Sequence, residues 1–244
     1  MQGSAQLALA MRIRDDAAFS NYFAGPNQEI VDHLQKASQG KPSDGTIYLS
    51  GADGVGKTHL LQAACRQAEK HQGAAVYLPL AELREEDTGV LDGLETLSLI
   101  CIDDVHEIEG HTQWEAALFH LYNRAFDTGA QIIFAADRSV AALGIQLPDL
   151  HSRLAWGFVY KLLALSDEEK VLVLQARARL RGFALPEDVG RYLLRRFPRD
   201  MAALQQMLDE LDQVSLAAQR GKITIPFVRS WLEHREQSTQ VQLF

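Results

Sequence analysis

Residues 51–60 read GADGVGKTHL, and this stretch decides the fold of the chain. It fits the pattern G-x-x-x-x-G-K-[ST], whose fixed positions are Gly51, Gly56, Lys57 and Thr58. The pattern forms a phosphate-binding loop when it follows a strand and opens a helix. An apolar run, TIYLS (46–50), precedes it and a helical pattern over about 58–72 follows it. The flanks therefore favour a nucleoside triphosphate site over a chance glycine-rich turn.

The loop supplies the residue types that phosphate binding requires. Glycines let successive backbone N–H groups turn toward phosphate oxygens, and the N-terminus of the following helix adds a favourable dipole. Lys57 is expected to reach the β- and γ-phosphates, and the Thr58 hydroxyl to bind Mg²⁺. The residues expected to contact the nucleotide here are Gly51, Asp53, Gly54, Val55, Gly56, Lys57, Thr58 and His59.

A second motif, LSLICIDDVH (97–106), is an apolar run that ends in two carboxylates. We expect Asp103 to hold Mg²⁺ through water and Asp104 to lie where a base orients the attacking water. If the motif stood alone, two acids capping a loop would be the better interpretation. Because a phosphate loop lies about 45 residues upstream, the two motifs together predict triphosphate binding and make hydrolysis chemically feasible.

Two further polar side chains lie near the last predicted strands. Asp137, in FAADR (134–138), lies beside the phosphate loop if its strand neighbours the first one. There it would sense the γ-phosphate or hold the attacking water, although a turn or helix-cap acid is an equally good interpretation. Arg153, in DLHSRLAWGF (149–158), either projects into a neighbour's active site or is an ordinary surface arginine.

Short apolar runs alternate with helical segments around these motifs. The runs predict strands because they are β-branched and bounded by Gly, Asp or Ser, and they cover residues 46–50, 75–78, 97–102, 131–136 and 158–163. One intervening helix begins at Thr112, where TQWE predicts a capping box between Thr112 and Glu115, and it ends at Gly129. Strands separated by helices predict a parallel sheet covered on both faces.

From about residue 165 the pattern is wholly helical, which predicts a small second domain. Ser166 and Glu169 predict a capping box at its start. Glycine and proline positions bound the expected helices at about 166–182, 186–198 and 200–219, with a short last helix from Pro226. The expected organisation is a flexible tail over 1–18, an α/β domain over 19–164, a helical domain over 165–235 and a tail over 236–244.

The composition is that of a soluble globular protein, with 47% apolar and 23% charged residues. A net charge of −8 argues against wholesale nucleic-acid binding. Residues 170–222 nevertheless hold ten Lys or Arg against six Asp or Glu, and residues 82–115 are strongly acidic. Either run could meet a charged partner, although a solvated surface is the commoner explanation.

The same bulk features bear on the cell compartment. Cys65 and Cys101 have neither metal-ligand spacing nor a disulfide framework. The sequence shows no signal peptide and no apolar run of membrane length. We therefore expect a reduced, cytoplasmic protein with no membrane partner.

Together the motifs resemble those of the AAA+ ATPases and, more narrowly, the family of the bacterial replication initiator DnaA. The resemblance spans about residues 19–235 and is carried by FSNYFAGPNQ (19–28), GADGVGKTHLLQA (51–63), IDDVH (102–106), AADR (135–138) and SRLAWGF (152–158). It implies an AAA+ P-loop domain, with a parallel five-stranded sheet covered by helices, and a small all-helical lid. It also implies that Phe19, Tyr22 and Phe23 pack near the base, that Asp137 is the first sensor and that Arg153 is the arginine finger.

Two features depart from the initiator pattern. The chain ends at Phe244, before the helix-turn-helix domain of an initiator could fit, and we expect neither that domain nor the initiator's N-terminal helicase-interaction domain. At the lid position where initiators carry a nucleotide-contacting arginine, this chain has Ala202. Arg199 lies one turn earlier and is the residue expected to replace it. ATP hydrolysis by the chain itself is therefore expected to be weak or absent.

A shortened initiator-like chain with an apolar N-terminal peptide resembles the Hda family of regulatory inactivators, in which that peptide binds the polymerase sliding clamp. In this chain the peptide is QLALAMR (6–12). Gln6 is expected to hydrogen-bond at the mouth of a clamp pocket, whose apolar floor would take Leu7, Leu9 and Met11. A disordered tail, or a helix packed on the core, is the plainer alternative. QVQLF (240–244) shows a similar, weaker pattern.

The resemblance implies an inhibitor of replication initiation that binds ADP or ATP with Mg²⁺. Held on the clamp, it would present Arg153 to ATP-bound DnaA and accelerate hydrolysis there by about 10³–10⁵-fold. DNA would be contacted only indirectly or weakly, and a homo-oligomer is compatible with the sequence. A helicase loader and a self-contained ATPase are the alternatives. A loader would need a basic extension, which we do not find, and Ala202 counts against an ATPase that turns over alone.

Overall fold

The computed structural model describes residues 13–14, 17–40, 45–198, 200–217 and 222–241. The chain divides between Ala164 and Leu165 into two compact units. No helix among the described residues is long and apolar enough to cross a membrane.

The first unit is built on one parallel sheet. Its strands are β1 (Ile47–Ser50), β2 (Ala75–Pro79), β3 (Leu99–Asp103), β4 (Gln131–Ala136) and β5 (Phe158–Lys161), in the order β2-β3-β4-β1-β5. Its helices are α1 (Gln28–Ala37), α2 (Lys57–Lys70), α3 (Leu80–Leu83), α4 (Thr112–Thr128) and α5 (Pro148–Ala155). The predicted five-stranded parallel sheet with helical cover is therefore confirmed.

Two apolar cores form because successive strand side chains point to opposite faces of the sheet. Tyr48, Ile100 and Phe134 pack on one face, together with buried side chains of α4 and α5. Leu49, Cys101 and similar residues pack on the other face with buried side chains of α1 and α2. Every residue of β1, β3 and β4 is buried, which is why these strands read as continuous apolar runs rather than as alternating ones.

The strand order brings the predicted motifs to one edge of the sheet. β1 pairs with β4 on one side, where Ser50 is opposite Ala136, and with β5 on the other. From β1 the chain crosses to β2 at the far edge and returns inward through β3 and β4. The loop after β1 thus starts where the strand order reverses, which is the place where open α/β sheets bind ligands.

The predicted capping box at Thr112 is wrong. The N-cap of α4 is His111, so Glu115 is one residue too far along the helix to return to the N-cap. The Glu115 carboxylate is buried and accepts backbone N–H bonds from Gly110 at 2.9 Å, Gln146 at 2.9 Å and Leu147 at 2.8 Å. Its role is to tie two loops to α4. The predicted end of α4 at Gly129 is confirmed, with φ of +77°.

The strand boundaries also differ slightly from the prediction. β3 begins at Leu99 rather than 97, and β5 ends at Lys161 rather than 163. Pairing stops there because β1 has ended at Ser50, and the Leu163 N–H donates instead to the Asn27 side chain at 2.8 Å.

In the described part of the second unit, four helices surround a separate apolar core. They are α6 (Asp167–Leu180), α7 (Glu187–Arg196), α8 (Met201–Ala217) and α9 (Ile225–Val241). The predicted capping box is confirmed, since the Ser166 hydroxyl accepts from the Glu169 N–H and the Glu169 carboxylate accepts from the Ser166 N–H. The prediction of a short last helix is wrong: α9 has 17 residues. No Gly or Pro follows Pro226, and the helix continues past Trp231, which is buried in this core.

Candidate functional site

The loop between β1 and α2 has the backbone of a phosphate cradle. Gly54 and Gly56 have φ of +75° and +99°, a region that side chains disfavour. A Cβ on Gly56 would also lie 2.6 Å from the Tyr22 ring. Because Gly56 is the N-cap of α2, the unpaired N–H groups of that helix start inside the loop. The loop can therefore surround an anion.

Lys57 lies inside this cradle, where it is only 7% exposed. Its ammonium donates to the carbonyl oxygens of Gly51 at 2.7 Å and Ala52 at 3.1 Å. The nearest carboxylate, Asp53, is 3.8 Å away and fully exposed, so water screens this ion pair. A buried cation with so weak a counter-charge favours a strong anion, and a phosphate supplies one.

The two predicted metal ligands are adjacent. The Thr58 hydroxyl donates to Oδ2 of Asp103 at 2.7 Å, and the Tyr77 hydroxyl donates to the same oxygen at 2.9 Å. Burial, followed by the charge of Asp103, raises the pKa of Tyr77 well above its usual value, so the phenol stays a donor. Oδ1 of Asp103 accepts the N–H of Asp104 at 3.0 Å.

These oxygens suit Mg²⁺, which takes one or two protein ligands together with phosphate oxygens and waters. Within the described ranges, no group of three or more His, Cys, Asp or Glu side chains is arranged to hold a metal ion. A magnesium ion here would therefore be held by Thr58 and Asp103 with the phosphates, and it would neutralise charge on the phosphate chain.

Asp104 follows Asp103 in the left-handed region, with φ of +55°. Burial, and next the charge of Asp103, raise the pKa of Asp104 to about 6, although His106 and Lys57 oppose the shift. A carboxyl group with this pKa can accept a proton near neutral pH, which fits the predicted base.

Asp137 lies beside the phosphate loop, as its strand pairing requires, but it is already engaged. Arg138 donates to both of its carboxylate oxygens, at 2.7 and 2.9 Å. This pairing lowers the pKa of Asp137. His106 is also close, with Nδ1 3.7 Å from Asp137 and Nε2 3.7 Å from Glu107. Arg138 and His106 were assigned no role from the sequence, although each is the last residue of a quoted motif, FAADR (134–138) or LSLICIDDVH (97–106).

The three aromatic residues that were predicted to pack near the nucleotide base differ in their surroundings. Tyr22 donates to the Val55 carbonyl at 3.1 Å and stacks on His59 with ring centroids 6.0 Å apart, so it borders the loop. Phe19 is buried in the core of the first unit. Phe23 is 41% exposed. Asn27, which sequence analysis missed, holds this segment to the end of β5 by bonds of 2.9 and 2.8 Å to Leu163.

Arg153 lies on α5, with its guanidinium 5.3 Å from the ring centroid of Tyr122. Tyr122 belongs to the core on the face of the sheet opposite α2. Leu147, the N-cap of α5, is the residue that Glu115 fixes. Glu115 thus anchors the start of the helix that carries Arg153, a role for which its sequence position gave no signal.

Gln6, Leu7, Leu9, Met11 and Arg199 lie outside the described residues, as do Leu243 and Phe244.

Comparisons with known proteins agree with this geometry. Residues 13–161 match the bacterial DnaA ATPase domain family, and residues 167–232 match the Hda lid domain. Among solved structures, AMPPCP-bound DnaA from Aquifex aeolicus is 22% identical with a TM-score of 0.70, covering 95% of this chain and 72% of that one. Domain III of Thermotoga maritima DnaA is 21% identical with a TM-score of 0.71, covering 92% and 98%. The RuvB branch migration motor of Thermotoga maritima is 15% identical with a TM-score of 0.64, covering 84% and 67%. These likenesses confirm the predicted AAA+ fold.

Proposed function

This chain belongs to the bacterial DnaA ATPase domain family, and from that premise we propose that it is a nucleotide-bound regulator of replication initiation. The Hda-type lid over 167–232 supports a regulator rather than an initiator. In this proposal the chain binds ADP or ATP with Mg²⁺, is tethered to the polymerase sliding clamp and accelerates ATP hydrolysis by a DnaA initiator.

The buried Lys57 ammonium is the observation that carries nucleotide binding. It is held within a loop of left-handed glycines, beside the Thr58–Asp103 pair. The loop and helix N-terminus bind phosphates, Lys57 supplies charge, and Mg²⁺ neutralises the phosphate chain. Tyr22 and His59 border the loop on the side proposed for the base.

In this proposal Arg153 acts on the ATP that is bound to the initiator, and not on a nucleotide bound to its own chain. Its guanidinium lies on Tyr122, on the sheet face opposite the helix that starts at Lys57. Arg153 would approach the γ-phosphate held by the initiator and stabilise charge in the transition state. Arginine fingers that act in this way contribute about 10³–10⁵ in rate. The chain itself would turn over little ATP.

A pull-down with the full chain tests this proposal against its rivals. The immobilised chain, loaded with ADP, is expected to retain the clamp and the ATP-bound initiator but not the replicative helicase. Retention of the helicase alone would indicate a helicase loader. Sustained ATP turnover by the chain without any partner would indicate a self-contained ATPase. Either result would contradict the proposal.

A further inference from the structure

The helical unit carries an arginine–tyrosine surface formed by Tyr192 and Arg196 on α7 and Arg229 on α9. The Arg196 guanidinium lies 5.6 Å from the centroid of the Tyr192 ring, and that of Arg229 lies 5.8 Å from it. Both arginines are exposed, whereas the ring is partly buried. Two cations from different helices therefore share one aromatic ring at the protein surface.

Among the described residues these two arginines have no acidic partner, in contrast to Arg181, Arg191 and Arg235 of the same unit. Arg191 pairs with Glu187 at 2.8 Å, Arg235 pairs with Glu210 at 3.2 Å, and Arg181 pairs with Asp209. In the described part of the helical unit, no carboxylate lies within ion-pair distance of Arg196 or Arg229. Like charges around one ring repel each other, and a bound anion would relieve that repulsion.

The geometry suits phosphate groups in particular. A guanidinium is planar, weakly hydrated and always charged, and it binds phosphate oxygens through paired N–H groups. Stacking on a ring orients the group and leaves its N–H edge available. On duplex DNA, phosphates recur about every 3.4 Å of helix axis along each strand, so two neighbouring guanidinium groups can contact one backbone.

We propose that the Tyr192–Arg196–Arg229 surface binds the phosphate backbone of duplex DNA without reading its sequence. The choice of DNA over an acidic protein rests on the proposed function, because a regulator held on a DNA-loaded clamp works beside a duplex. The net charge of −8 opposes wholesale binding of DNA along the chain, so we assign the contact to this surface, where two cations lack acidic partners among the described residues. The binding is weak and depends steeply on salt.

The test titrates the full ADP-loaded chain against a short labelled duplex of mixed sequence, at salt concentrations from about 50 to 200 mM. Affinity is expected to fall linearly with salt on logarithmic axes. The double variant Arg196→Ala/Arg229→Ala is expected to lower the magnitude of that slope by about 2 and to weaken binding at the lowest salt on the order of tenfold. Tyr192→Phe keeps the ring and should bind like the unmodified chain.

Arg179→Ala is the matched control, since Arg179 is an exposed arginine on α6 of the same unit. It should change neither the slope nor the affinity. The proposal is overturned if the double variant behaves like the unmodified chain, or if Arg179→Ala loses as much. The proposal is also overturned if the chain binds polyglutamate but not the duplex, which would indicate that the partner of this surface is an acidic protein. Neither clamp nor initiator is present in this titration, so its failure is distinct from failure of the proposed function.

Discussion

The Thr58 hydroxyl donates to the Asp103 carboxylate across 2.7 Å and so joins the first turn of α2 to the end of β3. The two residues are 45 positions apart in sequence, in the two motifs that predicted a triphosphate site. Their contact brings the two expected magnesium ligands together at the residue that follows the buried Lys57.

Lys57→Ala should abolish tight nucleotide binding, because the phosphates lose their buried cation. A ligand at a hundred times its Kd stabilises the folded state by about 2.7 kcal/mol. ADP should therefore raise the melting temperature of the unmodified chain but not that of the variant. Lys70→Ala, an exposed change at the end of the same helix, should bind normally. Undiminished ADP affinity of Lys57→Ala in a calorimetric titration would refute the phosphate loop.

Asp104→Asn should stabilise the protein at pH 7. The folded-state pKa of Asp104 is about 6, above the unfolded value of about 3.9. Between about pH 4 and pH 6 the folded state therefore holds a proton on Asp104 that the unfolded state has lost. As pH rises through this range, Asp104 ionises in the folded state and the free energy of unfolding decreases. Asn is neutral, similar in shape and tolerates the left-handed backbone. Chemical unfolding should show the variant more stable at pH 7, with the difference closing toward pH 4; a constant difference would contradict the assigned shift.

Glu115→Ala should destabilise the first unit by about 3 kcal/mol, since three backbone N–H groups lose a charged acceptor in a buried place. Glu115→Gln keeps one acceptor oxygen and should cost less. Urea unfolding measures both changes, with the exposed Gln113→Ala on the same helix as control. If Glu115→Ala unfolds at the same urea concentration as this control, the loops are held by other contacts.

Replacing Gln6, Leu7 and Leu9 with Ala should remove most clamp affinity while leaving the melting temperature unchanged. The physical reason is that, in the proposed function, this peptide supplies a polar anchor and apolar side chains to a groove on the clamp. Deleting residues 240–244 should do little. Surface plasmon resonance on immobilised clamp compares the two variants.

The opposite pattern, in which the triple variant still binds the clamp and the deletion variant does not, would contradict the proposal. It would show that residues 240–244 are the tether. If each change halves the affinity, the two ends act together as linked weak sites.

The phosphate loop, the acidic strand end and the parallel sheet were predictable because their signals are local. Glycines at fixed spacing, a strand before them and a helix after them lie within one short stretch. Asp137 was predicted to lie beside the phosphate loop only if its strand neighbours the first strand. This condition could not be tested in the sequence, because no single segment determines the order of strands in a sheet. The pairing of β1 with β4 satisfies that condition.

Glu115 and Asn27 act through partners that are distant in sequence, and for this reason their roles were not predicted. Glu115 bonds Leu147, 32 positions away, and Asn27 bonds Leu163, 136 positions away. In the sequence, Glu115 also fits the pattern of a capping box with Thr112. Only the position of the N-cap, at His111, shows that Glu115 bonds the two loops instead. The length of α9 was underestimated because proline gives a strong start signal, whereas nothing comparable in sequence marks how far packing extends a helix.

The central claim is that Arg153 acts on ATP held by the initiator, and single-turnover hydrolysis of initiator-bound ATP measures this most directly. The initiator is loaded with labelled ATP and mixed with DNA-loaded clamp and either the unmodified chain or Arg153→Ala. The unmodified chain should accelerate hydrolysis, whereas the variant should lose that acceleration while its melting temperature, ADP binding and clamp binding stay unchanged. Normal acceleration by Arg153→Ala would contradict the account, as would a variant that instead loses its own nucleotide, because the arginine would then act within its own chain.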